Sequence, residues 1–358
     1  MNLNQRSARW AVGAAILLTS SFALTACGGG DTQAGGDDKT LVLSTFSFGV
    51  DDYKKAILDP FTAATGIKVE VETGANADRL SKLEMNKNSG VDVMLISDYY
   101  AAAGQAKDLF AKVDPAKVPN MAKVAPFAVD TKLNGPAYTF QLNGMMYRTD
   151  VMDAAKAAQW DTLSDPANAK KIALPDIAAT SGQLTLSGFS TAYGSGPFDV
   201  DKGLAKMGAL APSTLKFYTA STEVTSLLQQ KEIVAAPALD GFAVNLVKSG
   251  APVAWTPTAT GKYMSTNRAM IVKGTAHQSA AEKFIDYILS AQAQTASAAT
   301  LGDKPVNPEA TLPDSLLKVS GAAAKDPIAA GFKTLDMDPI VQNRSAWVER
   351  YAREVTAK

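Results

Sequence analysis

From Thr40 onward, short runs of β-branched and apolar residues alternate with longer amphipathic runs, and that alternation restricts the chain to an α/β architecture. "TLVLSTF" (40–46) reads as the opening strand. "DDYKKAILDPFTAATG" follows as a helix entered at Asp51 and Asp52 and stopped at Gly66, with Pro60 expected to kink or divide it. "IKVEVET" (67–73) alternates at period two, which predicts a strand with one buried face. A helix carrying Leu80 and Leu83 comes next, and then "VDVMLIS" (91–97), a buried strand of parallel type. "DYYAAAGQAKDLFAKVD" predicts a helix with Leu109 and Phe110 turned inward. Further strands are expected at 170–176, 232–239, 251–258 and 267–274, and "SGFSTAYGSG" reads as a loop. The best-marked helix is "SAAEKFIDYILSAQAQTASAAT", with a capping box from Ser279 to Glu282 and an apolar stripe of Phe284, Ile285, Ile288 and Leu289. At the C-terminus Trp347, Tyr351 and Val355 recur every fourth residue, an amphipathic helix docked by its aromatic face.

The start of the chain is of a different kind. Arg6 and Arg9 precede an apolar, small-residue run from Trp10 to Ala26, the anatomy of a secretory signal. The run is short for a bilayer and is interrupted by Thr19, Ser20 and Ser21. "LTAC" resembles the bacterial lipobox, with Leu24 three residues ahead of Cys27. That resemblance implies lipidation of the Cys27 thiol and cleavage before it; an ordinary signal with an unrelated cysteine is the alternative. "GGGDTQAGGDDKT" (28–40) has nothing able to pack and reads as a flexible chain. Residues 1–26 are thus expected to be a lipoprotein signal peptide and 27–39 a tether. The rest would sit on the outer face of the cell membrane, or on its periplasmic side, through lipidated Cys27.

Composition removes several chemistries. Cys27 is the only cysteine, so no intrachain disulfide and no cysteine-based site is available. Lys+Arg and Asp+Glu are both 35, which gives no electrostatic reason to expect a nucleic-acid partner. The only histidine, His277, lies in the polar stretch "KGTAHQSAAEKF" and is expected to be solvated. No G-x-S-x-G, H-E-x-x-H, P-loop or dinucleotide fingerprint is present. Neither a cofactor nor a metal is implied. A secreted hydrolase using two cleft carboxylates, Asp98 with Asp176 or Asp240, stays open as an alternative class.

The order of elements resembles the solute-binding proteins of ABC importers over nearly all of 40–358. The carriers are "FTAATGIKVEVETG", "GVDVMLISDYY", "NGMMYRTD", the W-x-x-L-x-D-P piece from Trp160 to Pro166 with "KIALPD" after it, and "AAEKFIDYILSAQAQ". Polyamine-, thiamine- and ferric-ion-binding types are the most similar branches. The resemblance implies a two-lobed α/β fold of periplasmic-binding-protein type (type II), with a ligand cleft between lobes joined by crossing hinge strands. Lobe 1 would take 40–138 and 263–300, and lobe 2 would take 139–262 and 301–358. A monomer is expected to close on a small-molecule solute and deliver it to the transmembrane subunits of an ABC permease.

Ligands of α/β sheets sit beyond the carboxyl ends of strands, where helix N-termini present free N–H groups. Such positions here are Phe46, Ser47 and Phe48 after the first strand, Asn76 at the next helix entry, and Asp98, Tyr99 and Tyr100 after the third strand. In the second half they are Asp176, Thr180, Ser181, Gly182 and Asp240, with Tyr263, Thr266 and Asn267 preceding the returning strand. Each has a plainer reading: packed aromatics for the phenylalanines, an edge cap for the tyrosines, helix caps or turns for the aspartates. Polyamine relatives grip their ligand with tryptophans and acidic residues. Phe46 and Tyr99 stand at two of those aromatic positions, whereas Leu239 and "YMSTN" replace the second-lobe tryptophan and a tryptophan–aspartate pair. Spermidine or putrescine is the leading expectation. Thiamine, an organophosphonate and ferric ion are the alternatives, the phosphonate being favoured by 180–182.

Overall fold

The computed structural model describes residues 39–129 and 132–357; the signal segment, Cys27 and the tether before Lys39 lie outside the described residues. Among the described residues twelve strands follow in chain order. They are β1 (Thr40–Thr45), β2 (Lys68–Thr73), β3 (Val93–Ser97), β4 (Phe110–Ala111), β5 (Ala137–Arg148), β6 (Ile172–Pro175), β7 (Thr214–Tyr218), β8 (Ala235–Leu239), β9 (Val253–Thr256), β10 (Tyr263–Val272), β11 (Lys304–Pro305) and β12 (Lys333–Thr334). The main path runs β2-β1-β3-β10-β5-β8-β6-β7, with β4 and β12 on β10 and with β9 and β11 on β5. β1 is parallel to β2 and β3, and β6 is parallel to β7 and β8. β10 is antiparallel to β3 and β5, and β5 is antiparallel to β8 and β9.

Two parallel arrays are therefore joined through returning strands, and β5 is the element common to both. Its first half, up to Leu142, pairs with β10; from Asn143 it pairs with β8. At the changeover the Leu142 N–H donates to the Asp240 carboxylate, 3.0 Å. Asp240 is fully buried and also accepts from Lys304 Nζ at 2.8 Å and from the Ser320 hydroxyl. A crossing strand has to leave one ladder before it joins the next, and here a side chain takes the N–H exposed by that step.

Most of the expected elements form, and the departures have local causes. Pro60 leaves the helix continuous. The turn Lys54–Leu58 widens to a π-helix, which makes room for the proline ring and its missing N–H before α geometry resumes at Asp59–Thr65. β2 lies at the sheet edge, so Val71 is 38% exposed and neither face is fully buried, contrary to the expected one-sided strand. The helix Asp98–Ala106 stops earlier than its pattern implied. Asp108 turns the chain at φ 58°, and Phe110 enters the core from β4.

The segment expected as a loop, "SGFSTAYGSG", is mostly helical: Thr180–Tyr193 is one helix, and only the residues from Gly194 leave it. Its glycines serve close packing. A Cβ at Gly188 would lie 2.7 Å from Trp160 Cζ2. The capping box at Ser279 and Glu282 is not made. The helix Gln278–Leu289 starts at His277 without a side-chain cap, and Glu282 accepts instead from Gln278 Nε2. Ser290 then divides the long helix by capping a second one, Ala291–Leu301. His277 is not free in solvent, since its Nδ1 lies 3.0 Å from the buried Asp92 carboxylate. The C-terminal helix Met337–Tyr351 docks as expected, with Trp347 stacked on Phe198 and Tyr351 edge-on to Phe217.

One cap yields a pH prediction. Glu223 reaches back over the start of the helix Ser221–Gln229 to the Thr219 and Ala220 N–H groups, both at 3.0 Å, and pairs with Lys216. The lysine contact, then the backbone donors, hold its carboxyl down at about 2. A depressed acid binds fewer protons folded than unfolded, so its contribution is complete above its ordinary value of 4.5 and lost as pH falls through about 2. Glu223→Gln keeps an acceptor oxygen but removes the charge beside Lys216 and the helix start, and should cost about 0.3–1 kcal/mol at pH 7. The gap from wild type should shrink between pH 4.5 and 2 in urea melts; a gap constant with pH would refute the assignment.

Candidate functional site

The carboxyl end of β3, the start of β10, the entry to helix Thr180–Tyr193 and the first turns of helix Met337–Tyr351 meet at one crevice. Its walls include Ser97, Asp98, Tyr99, Tyr100 and Ser265 on one side, and Thr180, Gln183, Leu184, Met337 and Arg344 on the other. The cavity volume is about 30 Å³, room for a water or two.

Asp98 begins its helix where β3 ends. Its Oδ2 accepts the Thr266 N–H at 2.9 Å, and its Oδ1 accepts from the Tyr99 N–H at 2.8 Å and the Ser265 hydroxyl at 3.0 Å. The carboxylate thus continues the β3–β10 ladder by one step. Burial pushes the Asp98 carboxyl above its usual range, against the pull of these donors and of Arg268. Next to it the Tyr99 and Tyr100 rings meet edge-on at 4.8 Å, and the Arg344 guanidinium lies 4.3 Å from the Tyr99 ring centre. Burial raises the Tyr99 phenol, and Arg344 opposes that rise.

Arg344 is held from behind. It donates to the Ile177 carbonyl at 2.9 Å, the Ala178 carbonyl at 3.4 Å and Gln183 Oε1 at 3.4 Å. Those carbonyls belong to a turn in which Asp176 Oδ1 accepts the Ala178 N–H at 2.8 Å and the Asp176 carbonyl accepts the Ala179 N–H. The turn delivers the chain into helix Thr180–Tyr193 at Ala179, which has no side chain to cap the free N–H groups.

Of the residues named from sequence, Asp98, Tyr99, Tyr100 and Thr180 line this crevice. Asn76 stands one step behind, donating to Ser97 Oγ at 3.3 Å and accepting from Arg79. Phe46 lies under Arg79, with Ser47 exposed beside it, and Phe48, 68% exposed, meets Phe242 at 6.2 Å between ring centres. The others are not on the walls. Ser181 is buried between Asn143 and Tyr218, Gly182 packs on the Asp176 turn, and Asp240 is paired with Lys304. Tyr263 shares a hydrogen bond with Thr191, and Thr266 and Asn267 are in the β10 ladders. Arg344, Gln183 and Ser265 were not foreseen. Arg344 carried a readable signal, because it continues the stripe of Ile340, Trp347 and Tyr351, a charge on a face otherwise buried.

The model of the family described as bacterial extracellular solute-binding protein matches residues 56–330. A spermidine/putrescine-binding periplasmic protein of Salmonella typhimurium is 23% identical over 257 residues, covering 69% of this chain and 72% of the relative. Among solved structures, an ABC transporter protein of Clostridium perfringens superposes with a TM-score of 0.75 at 27% identity, covering 88% of this chain and 99% of that one. A spermidine/putrescine ABC transporter substrate-binding protein of Streptococcus pneumoniae superposes at 0.72 with 19% identity, covering 88% and 99%. The α/β fold is accordingly the two-lobed one of periplasmic binding proteins, and the hydrolase alternative falls away. This chain belongs to the bacterial extracellular solute-binding family and is the substrate-binding component of an ABC transporter, not an enzyme.

Proposed function

We propose that the crevice between β3/β10 and helices Thr180–Tyr193 and Met337–Tyr351 is where this protein holds its solute, and that the two halves, divided near 138/139, 262/263 and 300/301, close over it. The observation that carries this reading is the contact of Arg344 with Tyr99, which joins a helix of the proposed second lobe to the first turn of the helix after β3 in the first. Two further contacts span the same division: Phe48 with Phe242, and Lys132 with Asp336 and Asp338 at 3.0 and 3.2 Å. All three are made when the walls approach, so a solute that binds both walls favours the closed form by the binding energy added on closure. The names of the curated relatives make spermidine and putrescine the first solutes to assay. Thiamine, organophosphonates and ferric ion follow. Cys27, lipidated after export, would keep the protein at the outer face of the membrane beside its permease.

A bound solute should raise the melting temperature and reduce the radius of gyration together. At one hundred times its dissociation constant it adds about 2.7 kcal/mol to stability. Differential scanning fluorimetry and solution scattering across a panel of polar metabolites test this. If no solute changes either quantity, the proposed capture site is refuted.

A further inference from the structure

The charges around the crevice are arranged for an anion. Arg344 donates only to neutral acceptors and makes no salt bridge among the described residues; its Nε–H and one Nη1–H have no acceptor there. Behind the opposite wall, off the lining itself, Arg79 is 1% exposed, lies 5.1 Å from the Phe46 ring and is bonded to the Gly74 and Leu95 carbonyls, Ser44 Oγ and Asn76 Oδ1, again all neutral. A buried guanidinium without a carboxylate partner is unusual, because an unpaired charge is costly to take out of water.

The one carboxylate lining the crevice, Asp98, already accepts from Tyr99, Ser265 and Thr266. The uncapped N-terminus of helix Thr180–Tyr193 adds a further positive end on the side of Arg344. A polycation would meet the Arg344 guanidinium and a single lining carboxylate already engaged by three donors, which selects against it as an oxyanion is selected for.

Resting on the capture reading above, we infer that the solute of this protein carries a carboxylate or phosphonate group seated on the free edge of Arg344, and that Arg344 is the residue that sets specificity for it. The guanidinium, lying over the Tyr99 ring, keeps its Nε–H to donate to such a group and its positive charge to hold it. The tyrosine faces remain for the rest of the molecule, including an ammonium end.

Calorimetry on the mature protein tests this with chain-length-matched series: α,ω-diamines, ω-amino acids, α,ω-dicarboxylates and ω-aminoalkylphosphonates. At least one oxyanion-bearing series should bind, with the diamine of equal length at least tenfold weaker. The series that binds distinguishes carboxylate from phosphonate. Arg344→Gln should weaken binding of that series tenfold or more, and Arg344→Lys should fall between, with the melting temperature of each unliganded variant as the folding control. Should Arg344→Gln fail to fold, the wild-type ranking and Arg344→Lys decide the matter. Diamines binding tightly, with Arg344→Gln neutral or improving their affinity, overturns the inference and leaves the capture site standing. No oxyanion-bearing compound binding also overturns it, and the capture site itself falls only if the wider metabolite panel is blank too.

Discussion

Asp240→Ala should destabilise the fold by about 3–5 kcal/mol, the range for removing one partner of a buried ion pair. Lys304 is 1% exposed at its side chain and Asp240 is 0%, so neither charge can be taken up by solvent. Without the carboxylate, three donors lose their acceptor: the Lys304 ammonium, the Leu142 N–H and the Ser320 hydroxyl. The Phe140 ring, 5.7 Å from Nζ, is a weak substitute. At roughly 2 °C per kcal/mol for a chain of this size, the melting temperature should fall by roughly 6–10 °C. The double variant Asp240→Leu with Lys304→Met should recover a large part of the loss, since it removes both charges from the apolar surroundings together. Urea unfolding of the three proteins measures this. A single variant within about 1 kcal/mol of wild type, or a double variant no better than the single, would show that the crossover does not depend on the pair.

Gly182→Ala offers a sharper contest of effects. Alanine is favoured over glycine inside a helix by about 1 kcal/mol, so propensity alone predicts a more stable protein. The added Cβ, however, would lie 1.9 Å from the Asp176 carbonyl oxygen and 2.8 Å from Ile177 Cα, both backbone atoms that cannot rotate away. Overpacking of this kind costs about 1–3 kcal/mol, and at so short a distance the upper end applies. The net result should be a loss of stability. The displaced turn is also the one whose carbonyls hold Arg344, so the solute that raises the wild-type melting temperature should do so less in the variant. Melting curves with and without that solute give both readings. A variant as stable as wild type would mean that the helix shifts freely against the turn, and Gly182 would then have no packing role.

Much of the architecture is legible in the sequence. The order of strands and helices, the burial of 93–97, the stop at Gly66 and the docked C-terminal stripe all follow from patterns that repeat within a few residues. The glycines and serines of 187–196 favour a loop by local preference, while the helix through Tyr193 uses their small size to approach Trp160. Ser279 and Glu282 had the spacing of a capping box, but the helix began at a neighbouring residue and left Glu282 to Gln278. β5 and β7 were absent from the expected strands, and β5 proved to be the element that joins the two arrays.

The candidate site divides in the same way. That Asp98, Tyr99, Tyr100 and Thr180 stand at a crevice could be deduced from their places at a strand end and a helix start, since those positions are set by backbone geometry a few residues long. Which charges remain available there could not. Asp240 meets Lys304, Asp98 meets Ser265 and Thr266, and Arg344 meets Tyr99 through contacts between segments far apart in the chain. Short-range patterning constrains φ, ψ and which face turns inward, because those depend on neighbours along the backbone. The partner of a buried charge depends on what packing carries to within a few ångströms of it, and only the folded arrangement of both sheets settles that.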